Sequence, residues 1–510
     1  MSLWTINDVV DSAARKFKDR TALIDGQRKV TFFELKAEVD RIAGWLQAQG
    51  ISKGDKVAIQ GRNSLAWVTA FYATLRVGGI AVPLNHKLAP AETAYILDHS
   101  ESRLWLVDND LYNAAAGEGF QAPPAFSLGE NVEKTGLASL APQNENHTYT
   151  RVEVESADLA ELLYTSGTTG RPKGCMHSHA SVLLAGMGSS MVYGLSPQDR
   201  VLIAMPVWHS FPLNNLLVSS LYFGASVVLV SEYHPQTFLQ TVQDKRCTLF
   251  FGAPIAYLMP LKMVSDFDEY DLTSMRAWLY GGGPIDADSA SMLMERYRSS
   301  RFYQVFGMTE SGPTGTALLP EEQVSKAGSI GRYAVSGCEL KVMLNDETEA
   351  ERGETGEIWM RCQSMMLGYY RNPEASAAVF HEDWYRTGDL ARLDEDGYLF
   401  IVDRLKDMIV TGGENVYSKE VEDVLANHPD INEVAVIGTP HAEWGESVTA
   451  VIVPREGQEI QLDEVKAYCA KYLAKYKIPR LIEIVDAMPR TPTGKVMKFQ
   501  LRAAMSVKQP

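Results

Sequence analysis

Residues 163–174 read Leu163-Tyr164-Thr165-Ser166-Gly167-Thr168-Thr169-Gly170-Arg171-Pro172-Lys173-Gly174. The run 159–164 is apolar enough to predict a strand, and it feeds a loop with three glycines, four hydroxyl side chains and one lysine. Glycine lets backbone N–H groups turn together toward an anion, hydroxyls add neutral donors, and Lys173 adds a point charge. That is the chemistry of a phosphate cradle. A Gly/Ser/Thr surface turn is the plainer alternative, and the density of donors beside a lysine weighs against it. Gly174 follows Lys173 where a P-loop nucleotide hydrolase needs Ser or Thr, so this is not the GxxxxGK[ST] loop.

Outward from this loop, short β-rich runs alternate with helical patterns. Lys56–Gln60, Ile80–Leu84 and 103–107 read as strands, and 66–76 and 91–97 between them as helices. The rhythm returns at 201–205, 226–230, Leu249–Gly252 and 277–280. Such alternation predicts an α/β fold with parallel sheets covered by helices on both faces. After Gly328 the style changes: 331–343, 356–361 and 398–402 are strand-like and broken by glycine, which predicts a β-rich subdomain over about 328–402. A charged pentad, Asp403-Arg404-Leu405-Lys406-Asp407, precedes a last α/β pattern: helix 421–426, strands 434–438 and 448–453, helix 462–475. The expected organisation is a body over 1–402, a hinge at 403–407 and a small domain over 408–510.

The 510 residues carry 48 Lys+Arg against 64 Asp+Glu, a net charge of −16, which disfavours binding to nucleic-acid phosphates. The longest mostly apolar stretch, 216–230, holds Ser219, Ser220, Gly224 and Ser226 and is shorter than the ~20 residues of a membrane span. The N-terminus lacks the apolar core of a signal peptide, and a helix beginning after Thr5 or Asn7 fits it better. Five cysteines, at 175, 247, 338, 362 and 469, are scattered and form no CxxC pair. Free thiols and a cytoplasmic location are expected.

The chain resembles the adenylate-forming superfamily, in its acyl-CoA synthetase (acid–CoA ligase) branch. The resemblance rests on the loop above and on VTFFEL (30–35), LRVGGIAVPLN (75–85), MPVWHS (205–210), YGGGPI (280–285), QVFGMTE (304–310), GSIGR (328–332), WYRTGDL (384–390), DRLKD (403–407), GGENVYS (412–418) and PRTPTGK (489–495), in the family's order. It implies a large N-terminal body of two α/β lobes plus a β-barrel subdomain, with a small mobile α+β C-terminal domain. It implies ATP, Mg2+ and coenzyme A as partners of a two-step reaction. A carboxylate attacks the α-phosphate of ATP and pyrophosphate leaves; a thiol then displaces AMP from the acyl-adenylate.

The resemblance also implies site residues. Thr165, Ser166, Gly167, Thr168, Thr169, Gly170 and Lys173 would hold phosphates. Gly281, Gly282, Gly283 and Pro284, with Val305, Phe306, Gly307, Met308 and Thr309, would surround adenine; Phe306 stands where the family most often has Tyr, which keeps a stacking face and loses a hydroxyl. Glu310 would ligate Mg2+, because a hard cation between phosphates favours carboxylate oxygen. Asp389 would accept the ribose hydroxyls with Arg404 nearby, Lys495 would serve adenylation, and Lys406 would be the hinge. Gly412, Gly413 and Glu414 would line the path of CoA, although a simple turn also explains two glycines.

Trp208, His209, Phe211, Asn214, Tyr280, Gly283 and Met308 are the expected acyl-side residues, with His209 a catalytic candidate and a structural histidine equally open. These loops are mostly apolar and offer no cation for a second carboxylate, so a fatty or other apolar monocarboxylic acid is expected. Expected partners are that acid and CoA, with a homodimer left open. Two alternatives stand beside the ligase: an adenylating enzyme that loads a separate carrier-protein thiol, and a non-catalytic nucleotide-binding protein.

Overall fold

The computed structural model describes residues 4–115, 122–129, 137–140, 147–165, 171–411, 414–441, 444–490 and 495–508. The chain divides into two compact units, residues 1–340 with 360–385, and 341–359 with 386–510.

Two sheets build the first unit. One has eight strands in the order Gly315–Leu318, Phe302–Gly307, Ala277–Gly281, Leu249–Gly252, Arg200–Ile203, Ser226–Leu229, Thr21–Asp25 and Arg28–Thr31. Its six inner strands are parallel and each end strand is antiparallel. The other sheet runs Ala125–Ser127, Ser102–Val107, Lys56–Gln60, Ile80–Leu84, Leu159–Thr165 and Lys173–Ser178, parallel except for its last pair. Parallel neighbours need crossovers, and helices such as Pro235–Lys245 and Pro254–Met263 supply them. One core joins the sheets: Leu23 and Val201 of the first share it with Val57 and Ile59 of the second and with Trp67 and Phe71 of the helix Leu65–Arg76.

Local chemistry sets the ends of these elements. The first helix, Ile6–Lys16, starts where expected: Thr5 Oγ1 accepts from Asp8 N at 3.2 Å while the Asp8 carboxylate accepts from Thr5 N at 2.8 Å. The apolar stretch 216–230 splits into the end of a π-helix (Phe211–Val218), a short helix (Ser219–Phe223) and the strand Ser226–Leu229, with Gly224 left-handed at the helix end. Among the described residues no helix is long and apolar enough to cross a membrane. The strand expected from 331 begins only at Cys338. Gly331 and Gly337 have positive φ, and a Cβ on Gly331 would lie 2.2 Å from the Ala317 carbonyl oxygen, so this stretch turns instead of extending.

In the second unit, Asp389 to Leu393 pair antiparallel with Leu399–Arg404. A five-stranded sheet then runs Glu414–Val416, Ile409–Thr411, Gly445–Pro454 and Ile431–His441, with Leu481–Ile484 parallel to Gly445–Pro454. The helices Ser418–Ala426 and Leu462–Cys469 pack on it over Ile409, Val421, Leu425, Val448 and Ile452. The helix expected over 462–475 stops at Cys469, and the chain after it turns so that Leu473 and Tyr476 reach the same core.

A charged group sits inside the first unit. Glu161 lies opposite His177 on the antiparallel strand pair, and both are fully buried. Asn214, on the π-helix and equally buried, donates its amide to Glu161 Oε1 at 2.7 Å, while Glu161 Oε2 has no hydrogen-bond partner among the described residues. Burial pushes the Glu161 carboxyl up to about 7, only partly opposed by the Asn214 bond. The folded state therefore holds a proton that the unfolded chain, with an ordinary value of 4.5, releases. Stability contributed by this group is present below the unfolded value and is lost as pH rises from there to about 7. Glu161→Gln, neutral throughout, is expected to melt higher than the wild type at about pH 8, by up to about 3 kcal/mol, and to match it near about pH 5. Thermal melts at both pH values check this, and identical pH slopes would refute it.

Candidate active site

The strand Leu159–Thr165 delivers Thr165 to the mouth of the Gly-rich loop, where it pairs with Lys173. Ser166, Gly167, Thr168, Thr169 and Gly170 lie outside the described residues. The strand after the loop is fixed on its far edge too. Leu367 N donates to Met176 O at 2.8 Å, Met176 N to Gly368 O at 3.0 Å, and Tyr370 N to Gly174 O at 2.8 Å. This places the Lys173 ammonium 5.0 Å above the ring of Tyr369.

The second component comes from the C-terminal ends of two neighbouring parallel strands, the usual ligand side of an open α/β sheet. Gly281 pairs with Val305 so closely that a Cβ on Gly281 would lie 2.6 Å from the Val305 carbonyl oxygen. Gly282 follows in the left-handed region, and Gly283 and Pro284 complete the turn. Val305, Phe306 and Gly307 finish the strand Phe302–Gly307; Phe306 and Met308 are half-buried.

Thr309–Ser311 then make one tight turn that carries Glu310. Four side chains hold this turn from elsewhere. Tyr369 OH donates to Glu310 Oε1 at 3.0 Å, His177 Nε2 lies 2.9 Å from Thr309 O, Ser210 Oγ is 3.2 Å from Thr309 Oγ1, and Ser364 Oγ donates to Ser311 O at 2.7 Å. Burial pushes His177 down to about 4, so its imidazole is neutral and donates from Nε2. Burial first, and then the Glu310 charge, raise the Tyr369 and Tyr385 phenols, which stay protonated, Tyr369 as a donor to the carboxylate. Lys173, Tyr369 and Glu310 thus form one cation–ring–carboxylate cluster.

The expected acyl-side residues separate into two groups. Phe211 stacks on Phe251 with centroids 4.1 Å apart, Trp208 Nε1 donates to His86 Nδ1 at 3.1 Å, and His209 lies beside the Trp208 ring. Asn214 and Tyr280 are instead fully buried among protein partners: Asn214 on Glu161, and Tyr280 OH on Gln323 Oε1 at 2.6 Å.

In the second unit, Asp389 Oδ1 pairs with Arg404 Nε at 2.7 Å, and Arg404 Nη1 reaches Thr387 O at 3.3 Å. Lys406 is exposed between two anchored carboxylates. Asp403 accepts from the backbone N–H and hydroxyl of Ser418 at the start of a helix, and Asp407 pairs with Arg502 at 2.8 Å. Glu414 is exposed on the strand Glu414–Val416 and Lys495 is exposed beside Val496, while Gly412 and Gly413 lie outside the described residues.

Three residues that hold the Glu310 turn escaped sequence reasoning: Tyr369, His177 and Ser364. A signal for the first existed, since Gly368-Tyr369-Tyr370 closes an apolar run. Nothing in sequence, however, says that this run flanks the strand after the loop.

The profile of a family described as AMP-binding enzyme matches residues 10–370, and that of the AMP-binding enzyme C-terminal domain matches residues 420–495. The chain is 34% identical over 484 residues to a long-chain-fatty-acid–CoA ligase of Mycobacterium tuberculosis, covering 94% of each chain. It is 34% identical over 506 residues to a feruloyl-CoA synthase of an Amycolatopsis species, covering 96% of each. Its structure superimposes on that of the o-succinylbenzoate CoA synthetase of Bacillus subtilis in complex with its acyl-adenylate intermediate, with a TM-score of 0.85, 31% identity and 97% of each chain covered. With the strand before the Gly-rich loop, the glycine turn and the Glu310 turn assembled at one end of the sheets, the chain belongs to the AMP-binding enzymes, the adenylate-forming superfamily, in its acyl-CoA synthetase branch.

Proposed function

We propose that this AMP-forming acyl-CoA synthetase activates an apolar monocarboxylic acid, fatty or aromatic, as its acyl-adenylate and passes the acyl group to CoA. The observation that carries the reading is the cluster in which Tyr369 joins Lys173 to Glu310. A carboxylate is a poor electrophile until its oxygen is bound to phosphorus, and forming that bond brings two anions together. The protein's task is alignment and neutralisation of charge. Lys173 supplies a cation for the phosphates leaving as pyrophosphate. Glu310, with the hydroxyls of Thr165 and Thr309, offers the hard oxygen donors that suit Mg2+, which when bound would neutralise phosphate charge. The Bacillus subtilis synthetase has also been solved with ATP and magnesium ion, which supports this assignment.

The glycine turn at Gly281–Gly283 leaves space for adenine beside Phe306, and Asp389 is the carboxylate for the ribose. The stacked Phe211 and Phe251 rings make the acyl side apolar. Two of the named relatives are a long-chain-fatty-acid–CoA ligase and a feruloyl-CoA synthase, which supports a fatty or aromatic acid. Lys406, exposed between anchored Asp403 and Asp407, is the hinge about which the C-terminal domain alternately presents Lys495 and the 412–414 loop.

A panel of acids from acetate to palmitate, with benzoate, cinnamate and several amino acids, tests the class. AMP release is expected with apolar monocarboxylic acids and to depend on CoA; release indifferent to CoA would point to a carrier-protein thiol instead. Lys495→Ala is expected to lower ATP–pyrophosphate exchange by ~100-fold or more while thioester formation from pre-made acyl-adenylate persists. Equal loss of both steps would sink the role of Lys495. Tyr369→Phe removes one hydrogen bond from Glu310 and is expected to cost about tenfold in adenylation and to raise the Mg2+ concentration for half-maximal rate. An unchanged Mg2+ dependence would exclude Tyr369 as a positioning residue.

A further inference from the structure

Two of the five cysteines, 24 positions apart in sequence, are neighbours in space. Cys338 opens the strand Cys338–Met343 and Cys362 closes the adjacent strand Thr355–Cys362. Just beyond them Gln363 N donates to Gly337 O at 2.8 Å, and one step inward Arg361 pairs with Glu339. These contacts set Cys338 directly opposite Cys362, at a position between ladder hydrogen bonds. Facing residues at such positions have Cα atoms about 4.5 Å apart, inside the roughly 4.4–6.8 Å range that a disulfide spans. The two thiols are near enough for each to shift the titration of the other.

We propose that Cys338 and Cys362 are a peroxide-sensitive pair whose oxidation to a disulfide slows adenylation. The Cys338 thiol gives up its proton, and the thiolate attacks one oxygen of the peroxide; the O–O bond breaks to leave a sulfenic acid and hydroxide, which that proton converts to water. Cys362 sulfur then attacks that sulfur and expels hydroxide, which takes up the proton from Cys362. In sum, two thiols and one peroxide give one disulfide and two waters, and two electrons pass from sulfur to oxygen. Selectivity comes from the surroundings. Cys338 is half-buried, and its thiol is held below the ordinary range, chiefly by the neighbouring Cys362 and against the effect of burial. Burial instead raises Cys175, pushes Cys247 up to about 12 and Cys469 up to about 11.

The consequence runs through Thr314. Cys338 Sγ donates to Thr314 Oγ1 at 3.1 Å, Thr314 Oγ1 contacts Ser364 Oγ at 2.6 Å and Ser311 O at 2.9 Å, and Ser311 Oγ donates to Met308 O at 2.9 Å. This network braces the turn that carries Glu310. A disulfide leaves Cys338 with no S–H to donate and draws its sulfur toward Cys362, so the brace loses its first member.

The activity part rests on the function proposed above; the covalent part does not. The reduced full-length enzyme would be treated with hydrogen peroxide, digested without reductant and mapped by mass, with ATP–pyrophosphate exchange measured in parallel. The expected result is a linked Cys338–Cys362 peptide and a fall of about tenfold in exchange, the rate cost of one lost positioning hydrogen bond, reversed by dithiothreitol. Cys362→Ser, which keeps a small polar side chain in the same place, is expected to be active within about twofold when reduced and to show neither change. Absence of the linked peptide would overturn the proposal whatever acid the enzyme takes. A linked peptide with undiminished exchange, or an equal loss in Cys362→Ser, would overturn the switch.

Discussion

The Glu310 carboxylate is positioned from outside its own segment of chain. Its strand ends at Gly307 and the next residues form a single tight turn, too short to fix a side chain unaided. Tyr369 OH on Oε1, Met366 N on the Glu310 carbonyl, and His177 and Ser210 on Thr309 provide the restraint. The same Tyr369 carries Lys173 on its ring face, so one phenol spaces a cation from an anion. A direct Lys–Glu pair would spend both charges on each other; an interposed ring leaves each available to a third group.

That arrangement demands rigidity on both edges of the strand Lys173–Ser178, which has Leu159–Thr165 on one side and 367–370 on the other. The buried Glu161, His177 and Asn214 lie along the same strand pair and the π-helix. Polar groups that deep are costly unless paired, and each paired bond here also fixes geometry. In the second unit the pattern repeats in smaller form, with Asp403 anchored on Ser418 and Asp407 on Arg502, leaving Lys406 exposed between them.

Most of the architecture was legible because parallel strands buried on both faces are continuous apolar runs: Lys56–Gln60, Ile80–Leu84 and Leu249–Gly252 have the bounds read from sequence. The boundaries that moved did so for tertiary reasons. Gly331 is bent by its approach to Ala317, and the helix from Leu462 ends early because Leu473 and Tyr476 belong to the core. The parts of the candidate site that sequence could name are those where a motif is contiguous, as in the glycine turn and the Glu310 turn, whereas Ser166–Gly170 lie outside the described residues. What was not legible lies between motifs: nothing local in Tyr369 or His177 announces the partner, and nothing in two cysteines 24 residues apart announces a facing pair.

The bracing of the loop strand by residues 367–370 also sets a schedule for synthesis. The strand Lys173–Ser178 is complete once residue 178 has been made, but its far edge and the tether on Glu310 arrive about 200 residues later. At roughly 5–20 residues per second, a nascent chain carries that strand with one bare edge for ~10–40 s. An unpaired strand edge invites association with neighbouring chains. Deferring Tyr369 to the end of the first unit means that Lys173, Tyr369 and Glu310 come together only when the strands of both sheets of that unit have been made.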